Sequence, residues 1–332
     1  MQMDGKAEQI SYSRAFPTMG IILLGGLSDD IKRYPLHTSA GITYTDVEES
    51  MFAEVKLFSS AKRFGIINGT PVTGTESRSP FHVIDLYGEK IREVLGADEK
   101  SAISFDSWSR NIPSGSSDAA AAAFGSSIDA ILGGTVDQGK MENRLRTISE
   151  SVGRSMKGGL TITTPLPEPS TELLLPHTAF SGYEIIAFRF PDQRKPSDEI
   201  HRNIVNSPEY PERVRETENK GKILRDLASS GDVEAIFDLS EKDTKRYHSI
   251  IESVGVNVIT SEMARMLKRL EESRERFWNR FIVTGGSNVF AAIRKEDRNI
   301  ALEIGRDFQC TESVLKVAGP PVAQSMVTKK RY

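Results

Sequence analysis

Apolar positions along this chain fall into two regimes. Up to about residue 190, short apolar runs are separated by glycine- and serine-rich breaks, the spacing of strands and brief helices. Met19 to Gly26 reads as a buried strand ending in a glycine pair. Residues 41–46 and 53–58 alternate apolar and polar as half-buried strands do, and Ala102-Ile-Ser-Phe105 is another strand-like run. Ser79-Pro80 opens a helix with apolar positions at Val83, Ile84, Leu86, Ile91 and Val94. A further helix is expected from about Met141 to Ser155, with Met141, Leu145, Ile148 and Val152 as its apolar stripe. Gly158 to Thr164 and Tyr183 to Phe190 then return as strands.

From 211 to 278 the pattern is almost wholly helical. Thr244, Tyr247, Ile251 and Val254 make one stripe; Met263, Met266, Leu267 and Leu270 make another, of a kind that usually packs a core. His248 reads as a helix-surface or interhelix residue. The last part reads as a strand to Thr284, a turn at Gly285-Gly-Ser-Asn288, a strand from Val289 to Ile293, a helix from Asp297 to Phe308 and a strand from Ser313 to Val317. Strands and helices mixed in this way with long helices imply an α+β protein of two domains. The boundary is expected at the turn Gln193-Arg-Lys-Pro-Ser-Asp198, where Ser197 or Asp198 caps the next helix, giving domains 1–192 and 193–332.

Composition narrows the partners. The chain has 332 residues and a net charge of −3 with both signs interspersed. No basic block points to nucleic acid, so a small phosphate-bearing ligand is the more natural anion. The single cysteine, Cys310, cannot form an internal disulfide and fits a reducing cytosol. The apolar run Gly20-Ile-Ile-Leu-Leu24 is too short to span a membrane or to act as a signal segment, so a soluble cytoplasmic protein is expected.

The candidate chemistry centres on Asn111-Ile-Pro-Ser-Gly-Ser-Ser-Asp-Ala-Ala-Ala-Ala-Ala-Phe-Gly125. A strand leads into a Ser/Gly turn and then a helix, with Ser117 or Asp118 as N-cap and Ala119 to Ala123 as strong helix formers. Exposed N–H groups at such a helix start form an anion site, and phosphate is the usual occupant. The alanines let backbone and ligand approach closely, and the hydroxyls of Ser114, Ser116 and Ser117 can hold phosphate oxygens or a metal. The same string also reads as a flexible turn before an ordinary buried helix. There is no P-loop ending in GKS or GKT and no G-x-G-x-x-G after a strand. Glu150 and Arg154 sit one helical turn apart, away from the apolar stripe; taken alone they read as a surface ion pair worth a few tenths of a kcal/mol, on the order of 0.3.

Pro113-Ser-Gly-Ser-Ser-Asp-Ala resembles a shortened second motif of the GHMP kinases, whose usual form is Pro-x-x-x-Gly-Leu-Gly-Ser-Ser-Ala. Ser149-Glu-Ser-Val-Gly-Arg-Ser155 with Gly158-Gly159, Asp243-Thr-Lys-Arg-Tyr-His248 and Thr284-Gly-Gly-Ser-Asn288 resemble strings of the diphosphomevalonate decarboxylases in the same order. Ala15-Phe-Pro-Thr-Met-Gly-Ile-Ile-Leu-Leu-Gly-Gly26, Pro35-Leu-His-Thr-Ser-Ala-Gly41, Arg194-Lys-Pro-Ser197 and Ile282-Val-Thr-Gly-Gly-Ser-Asn-Val289 resemble a side branch of that family, the archaeal mevalonate 3-kinases. The resemblance runs from about residue 15 to 318. It implies a GHMP fold with a ribosomal-S5-like N-terminal domain and a ferredoxin-like C-terminal domain, ATP and Mg2+ as cofactors, and a homodimer.

Departures from the decarboxylase pattern bear on the reaction. Thr284 stands where the decarboxylases carry an aspartate facing the substrate's tertiary hydroxyl, and a threonine is no carboxylate base. The first-strand lysine of the decarboxylases is matched by apolar residues of Ile21 to Leu24. Phosphoryl transfer depends mostly on positioning and charge neutralisation and survives loss of a base that contributes about 10²–10⁴-fold. Glu150 replaces a glycine that lies near the substrate diphosphate in the decarboxylases; it would repel a phosphate and accept from a free hydroxyl. The resemblance thus implies unphosphorylated mevalonate as substrate and phosphorylation of its 3-hydroxyl. Glu150 would fix a substrate hydroxyl, Arg154 the carboxylate or the transferring phosphate, and Leu24 the carbon chain. Thr284 would hydrogen-bond near the 3-hydroxyl, Ser114, Gly115, Ser116 and Ser117 would hold the ATP phosphates, and Arg194 and Ser197 border the site. A decarboxylase acting on a phosphorylated mevalonate and an ATP-binding protein without catalysis stay open on sequence.

Overall fold

A computed structural model describes residues 7–165, 167–191, 196–286 and 288–327. In chain order these form β1 (Glu8–Ala15), β2 (Thr18–Ile22), β3 (Ser39–Asp46), β4 (Ala53–Ser60), β5 (Gly65–Ile67), β6 (Thr70–Pro71), α1 (Phe81–Leu95), β7 (Ala102–Ser109), α2 (Ser116–Ile131), α3 (Gln138–Leu145), α4 (Val152–Lys157), β8 (Leu160–Thr164), β9 (Ser170–Leu175) and β10 (Tyr183–Arg189). There follow α5 (Ser197–Ile204), α6 (Tyr210–Ser230), α7 (Val233–Ser253), α8 (Ser261–Glu272), β11 (Asn279–Val283), β12 (Asn288–Arg294), α9 (Arg298–Gly305), β13 (Thr311–Val317) and β14 (Val322–Ser325).

Two sheets organise these elements. One runs β14-β1-β4-β7-β5-β6; the other runs β11-β12-β10-β13-β3-β8-β9, with β2 paired to β3. The second sheet therefore joins strands from both sides of residue 192. Helix α2 lies on the first sheet. Its alanines explain how: Ala121, Ala122 and Ala123 are fully buried, and only small side chains let a helix sit this close. Phe124 anchors it edge-on to Phe105 with ring centroids 4.9 Å apart. The second sheet packs one face on a core with Ile21, Tyr44 and Phe237, the other on a core with Phe188, Met263, Met266 and Phe281.

Several expectations shift. The helix expected over 141–155 breaks into α3 and α4; its whole apolar stripe is buried, but Arg146 turns inward to the Glu150 carbonyl and ends the first piece. The strand expected to Gly26 stops at Ile22, because side chains rather than a neighbouring strand take the backbone groups beyond it. β3 is buried on both faces rather than half-buried, since it lies inside the sheet with α4 and α6 packed near it. Leu86 and Val94, expected on the apolar face of α1, are exposed. Helix α2 begins one residue before the expected caps, with Gly115 as N-cap. Helix α5 has Pro196 as N-cap rather than Ser197 or Asp198.

Candidate active site

The start of α2, the β11–β12 turn, the start of α5 and the segment 18–24 converge on one cleft. Gly115 makes the turn possible. It sits at φ 74°, and a Cβ there would lie 2.4 Å from the Thr18 carbonyl oxygen. Tyr44 Oη accepts from the Ser114 N–H at 3.0 Å, and Asn288 donates to the Pro113 carbonyl at 2.9 Å. Ser114 Oγ lies 3.2 Å from Thr284 Oγ1. The β11–β12 turn and the α2 turn are thus pinned together. The first N–H groups of α2 have no carbonyl within the helix, and Gly115, Ser117 and Asp118 line the cleft there, so the helix start offers an anion site.

Asp118, expected as a possible N-cap, is instead buried in the first turn of α2. Thr18 donates to one oxygen and Ser149 to the other, the latter at 2.5 Å. Burial first, then the charge of Glu150, pushes its carboxyl above the usual range. Ser149 is also 3.1 Å from Ser117 Oγ. A carboxylate flanked by hydroxyls beside a phosphate-type turn suits a divalent cation, which takes one or two carboxylates plus phosphate oxygens. No group of three or more His, Cys, Asp or Glu that could hold a metal exists among the described residues, so phosphates would have to complete any coordination.

Arg154 is only 5% exposed, yet its Nε and Nη2 have no partner. Gly41 makes room for it: a Cβ there would be 2.6 Å from Arg154 Cδ. Burial lowers its pKa, while the charges of Asp118 and Glu150 pull it back. Leaving a charged donor unpaired costs about 1–3 kcal/mol or more, so the arrangement calls for an incoming anion.

Glu150 occupies the break between α3 and α4 and is 9% exposed. It makes no surface pair with Arg154. Its Oε2 accepts from Arg33 at 3.2 and 2.8 Å and from Arg78 at 3.0 Å; its Oε1 lies 3.2 Å from His201 Nε2. Asp198 binds Arg33 at 2.6 Å from the other side. Burial opposes the charge on Glu150, but the His201 hydrogen bond and the charges of Arg33 and Arg78 outweigh it and hold the carboxyl well below the usual range. A carboxylate offers about four acceptor sites. Three donors crowd Oε2 and one meets Oε1, so Oε1 keeps room for one more donor from the cleft.

The apolar wall is gripped from the C-terminal half. Leu23 N donates to Asp243 at 2.8 Å, and Arg213 donates to the Leu23 carbonyl at 2.8 Å and to Asp243. Tyr247 and Tyr210 donate to the carbonyls of Leu24 and Gly25 at 3.2 and 2.7 Å. The Gly25 N–H donates to His37 Nε2 at 3.1 Å. His248 is buried between α7 and β11 rather than on a surface, with Nε2 2.9 Å from the Val283 carbonyl. Burial holds both His37 and His248 down to about 4; for His37 the Arg213 charge adds to this.

Leu24, Ser114, Gly115, Ser117, Glu150, Arg154, Ser197 and Thr284 all line the one cleft. Ser116 does not line it, and Arg194 lies outside the described residues. Asp118, Tyr247 and His201 line it too, and Arg33 and Arg78 reach it through Glu150. Asp118 and Tyr247 lie inside strings the sequence already singled out, whereas no motif marked Arg33, Arg78 or His201; only the inserted acid at 150, which has to be neutralised somewhere, signalled that cations would be near it.

Fold and cleft together define the class: a diphosphomevalonate decarboxylase-like α+β protein of the GHMP type. Residues 15–166 match the family described as diphosphomevalonate decarboxylase-like N-terminal domain, and residues 195–299 that described as mevalonate-3-kinase, C-terminal domain. The chain is 43% identical over 310 residues to a mevalonate-3-kinase of Picrophilus torridus, covering 93% of this chain and 96% of that one. The crystal structure of mevalonate-3-kinase from Thermoplasma acidophilum, with mevalonate 3-phosphate and ADP bound, superposes with a TM-score of 0.90 at 39% identity, covering 96% of this chain and 99% of that one. Mevalonate diphosphate decarboxylase from Staphylococcus aureus shares the fold at a TM-score of 0.78 and 18% identity, covering 95% of this chain and 98% of that one. The chain belongs to the mevalonate-3-kinase family.

Proposed function

We propose that the protein transfers the γ-phosphoryl group of ATP to the 3-hydroxyl of (R)-mevalonate, giving (R)-3-phosphomevalonate and ADP for isoprenoid synthesis. The observation that carries this reading is the pairing, in one cleft, of a buried guanidinium without partners and an ionised carboxylate with one free acceptor position. Mevalonate carries a carboxylate at one end and a primary hydroxyl at the other. Arg154 takes the carboxylate, Glu150 Oε1 takes the hydroxyl, and Leu24 packs on the carbon chain between them. The tertiary hydroxyl then faces Thr284 and the α2 turn.

The turn at Ser114, Gly115, Ser116 and Ser117 holds the ATP phosphates through the N–H groups at the start of α2, the Ser114 N–H being taken by Tyr44. Asp118 and Ser117 are the residues that would hold Mg2+, which supplies charge neutralisation on the phosphates. Thr284 orients the attacking oxygen by a hydrogen bond. Transfer proceeds through alignment and charge stabilisation, and the residue at 284 supplies no carboxylate base.

Incubation with ATP, Mg2+ and mevalonate should yield ADP and 3-phosphomevalonate in equal amounts. Carbon dioxide from mevalonate diphosphate, or no ADP with any mevalonate derivative, would overturn the reading. Residues 1–192 and 193–332 are taken as the ATP-binding and C-terminal domains, and Arg194 as bordering the site. A cytoplasmic homodimer follows the family resemblance; sedimentation would test the dimer. Among the described residues, no helix is long and apolar enough to cross a membrane.

A further inference from the structure

We propose that His201 is a positioning residue that couples Glu150 to the backbone carrying the apolar wall, so that one imidazole sets the distance between Glu150 and that wall of the substrate pocket. This rests on the reading of Glu150 as the acceptor for the substrate's hydroxyl. His201 has partners on both sides of its ring. Its Nδ1 lies 3.3 Å from the Gly26 N, and its Nε2 lies 3.2 Å from Glu150 Oε1. The Gly26 N–H can only donate, so Nδ1 accepts and the ring proton sits on Nε2, pointing at Glu150. One neutral tautomer satisfies both contacts.

The local sequence is built to bring the ring there. Gly26 has φ 89°, and a Cβ on it would lie 2.2 Å from Tyr210 Oη. A Cβ on Gly25 would lie 2.6 Å from Ile204 of α5. Only a glycine pair lets α5 approach the segment closely enough for His201 to touch its backbone. On the same helix, Asp198 stands three residues earlier and therefore on the same face, where it binds Arg33. Helix α5 thus holds Glu150 through two routes, directly by His201 and through Arg33 by Asp198. The direct route fixes Oε1, the oxygen with acceptor capacity to spare. The other fixes Oε2, which is already full.

The two bonds can be cut separately. An Asn side chain superposes its amide on the Nδ1 side of an imidazole; a Gln reaches to the Nε2 side. His201→Asn keeps an acceptor for Gly26 and loses the donor to Glu150. His201→Gln keeps the donor to Glu150 and loses the acceptor. Steady-state kinetics on the full chain, with ATP and mevalonate varied in turn, separate the readings. Both variants should raise KM for mevalonate, His201→Asn about tenfold more than His201→Gln, with KM for ATP the same in both. Adding Glu150→Gln to His201→Asn should raise KM no further than Glu150→Gln does alone. Equal effects of the two variants, a parallel change in KM for ATP, or additive effects in the double variant would overturn the proposal. If His201→Asn does not fold, the same cycle between His201→Gln and Glu150→Gln decides: additivity there overturns it. A wild type that forms no ADP with mevalonate would instead sink the kinase reading, so the two failures are distinguishable.

Discussion

Replacing Glu150 by Gln keeps the size of the side chain and removes its charge. Two magnitudes follow. A hydrogen bond from a substrate hydroxyl to a carboxylate contributes about 1.5–3 kcal/mol, and the neutral amide loses much of it, so KM for mevalonate should rise roughly 10- to 100-fold. The second effect runs the other way for a phosphorylated substrate. A phosphate placed about 4 Å from Glu150 meets a repulsion of about 4 kcal/mol per unit charge at the effective dielectric of a site near the surface. Removing the charge relieves that repulsion and leaves Arg33 and Arg78 with only Asp198 to neutralise them. The ratio of kcat/KM for mevalonate over that for mevalonate 5-phosphate should therefore collapse by at least about 100-fold. The assay is ADP release with each substrate, with a thermal melt to confirm folding. Loss of one buried charge among several cations should lower Tm by several degrees without abolishing the transition. A variant that folds and keeps the wild-type ratio would refute the argument that Glu150 reads charge at that end of the substrate.

Four shorter tests bear on the rest. Arg154→Met, which leaves the cleft without its unpartnered guanidinium, should raise KM for mevalonate by about 100-fold with little change for ATP; a mutant with unchanged KM would remove Arg154 from the carboxylate site. Gly115→Ala places a Cβ 2.4 Å from the Thr18 carbonyl at φ 74°, so it should abolish nucleotide binding, measured by ADP titration. Thr284→Asp alone should release no carbon dioxide from mevalonate diphosphate, because Glu150 still repels the diphosphate. His37 and His248 stay neutral in the fold down to about 4 and take a proton near 6.5 once unfolded, so the unfolded chain binds more protons between those values. Stability should be full above pH 6.5 and fall as pH drops toward about 4, by roughly 3 kcal/mol per ring; melts that are flat across that window would contradict the burial of both rings.

Much of the fold and most of the cleft were legible before any coordinates. The Ser/Gly turn, Glu150, Arg154, Leu24, Ser197 and Thr284 come from stretches far apart in sequence, and they meet in one place. Local signals sufficed where the physics is local: a turn that only glycine can make, a run of alanines, a threonine where a carboxylate would be needed. They failed where a long-range contact overrode the local pattern. Nothing near Met141–Ser155 announces that Arg146 will turn inward and split the helix. Nothing near Leu23–Gly26 announces that side chains from α6 and α7, some 190 to 220 residues away, will take its backbone groups in place of a strand partner. Arg33, Arg78 and His201 carry no motif at all; each is defined only by the carboxylate it reaches.

Those three side chains also decide what kind of selectivity the cleft can have. A lone buried carboxylate would protonate and become a hydroxyl-like acceptor with little power to repel a phosphate. Glu150 is instead surrounded by donors that hold its carboxyl well below the usual carboxylate range, so it is ionised near neutral pH. Shape alone discriminates poorly against a substrate that is merely larger; a fixed charge adds a repulsive term on the order of 4 kcal/mol, against which Arg33 and Arg78 pull the other way. The chemistry at the other end then follows from the same arithmetic. Elimination of carbon dioxide needs charge beside the tertiary oxygen as well as a tail anchored by cations. Here the cations are spent on Glu150, and Thr284 brings no charge. Restoring decarboxylation would therefore take changes at both ends at once, and a single substitution at either end should leave a weaker kinase rather than a lyase.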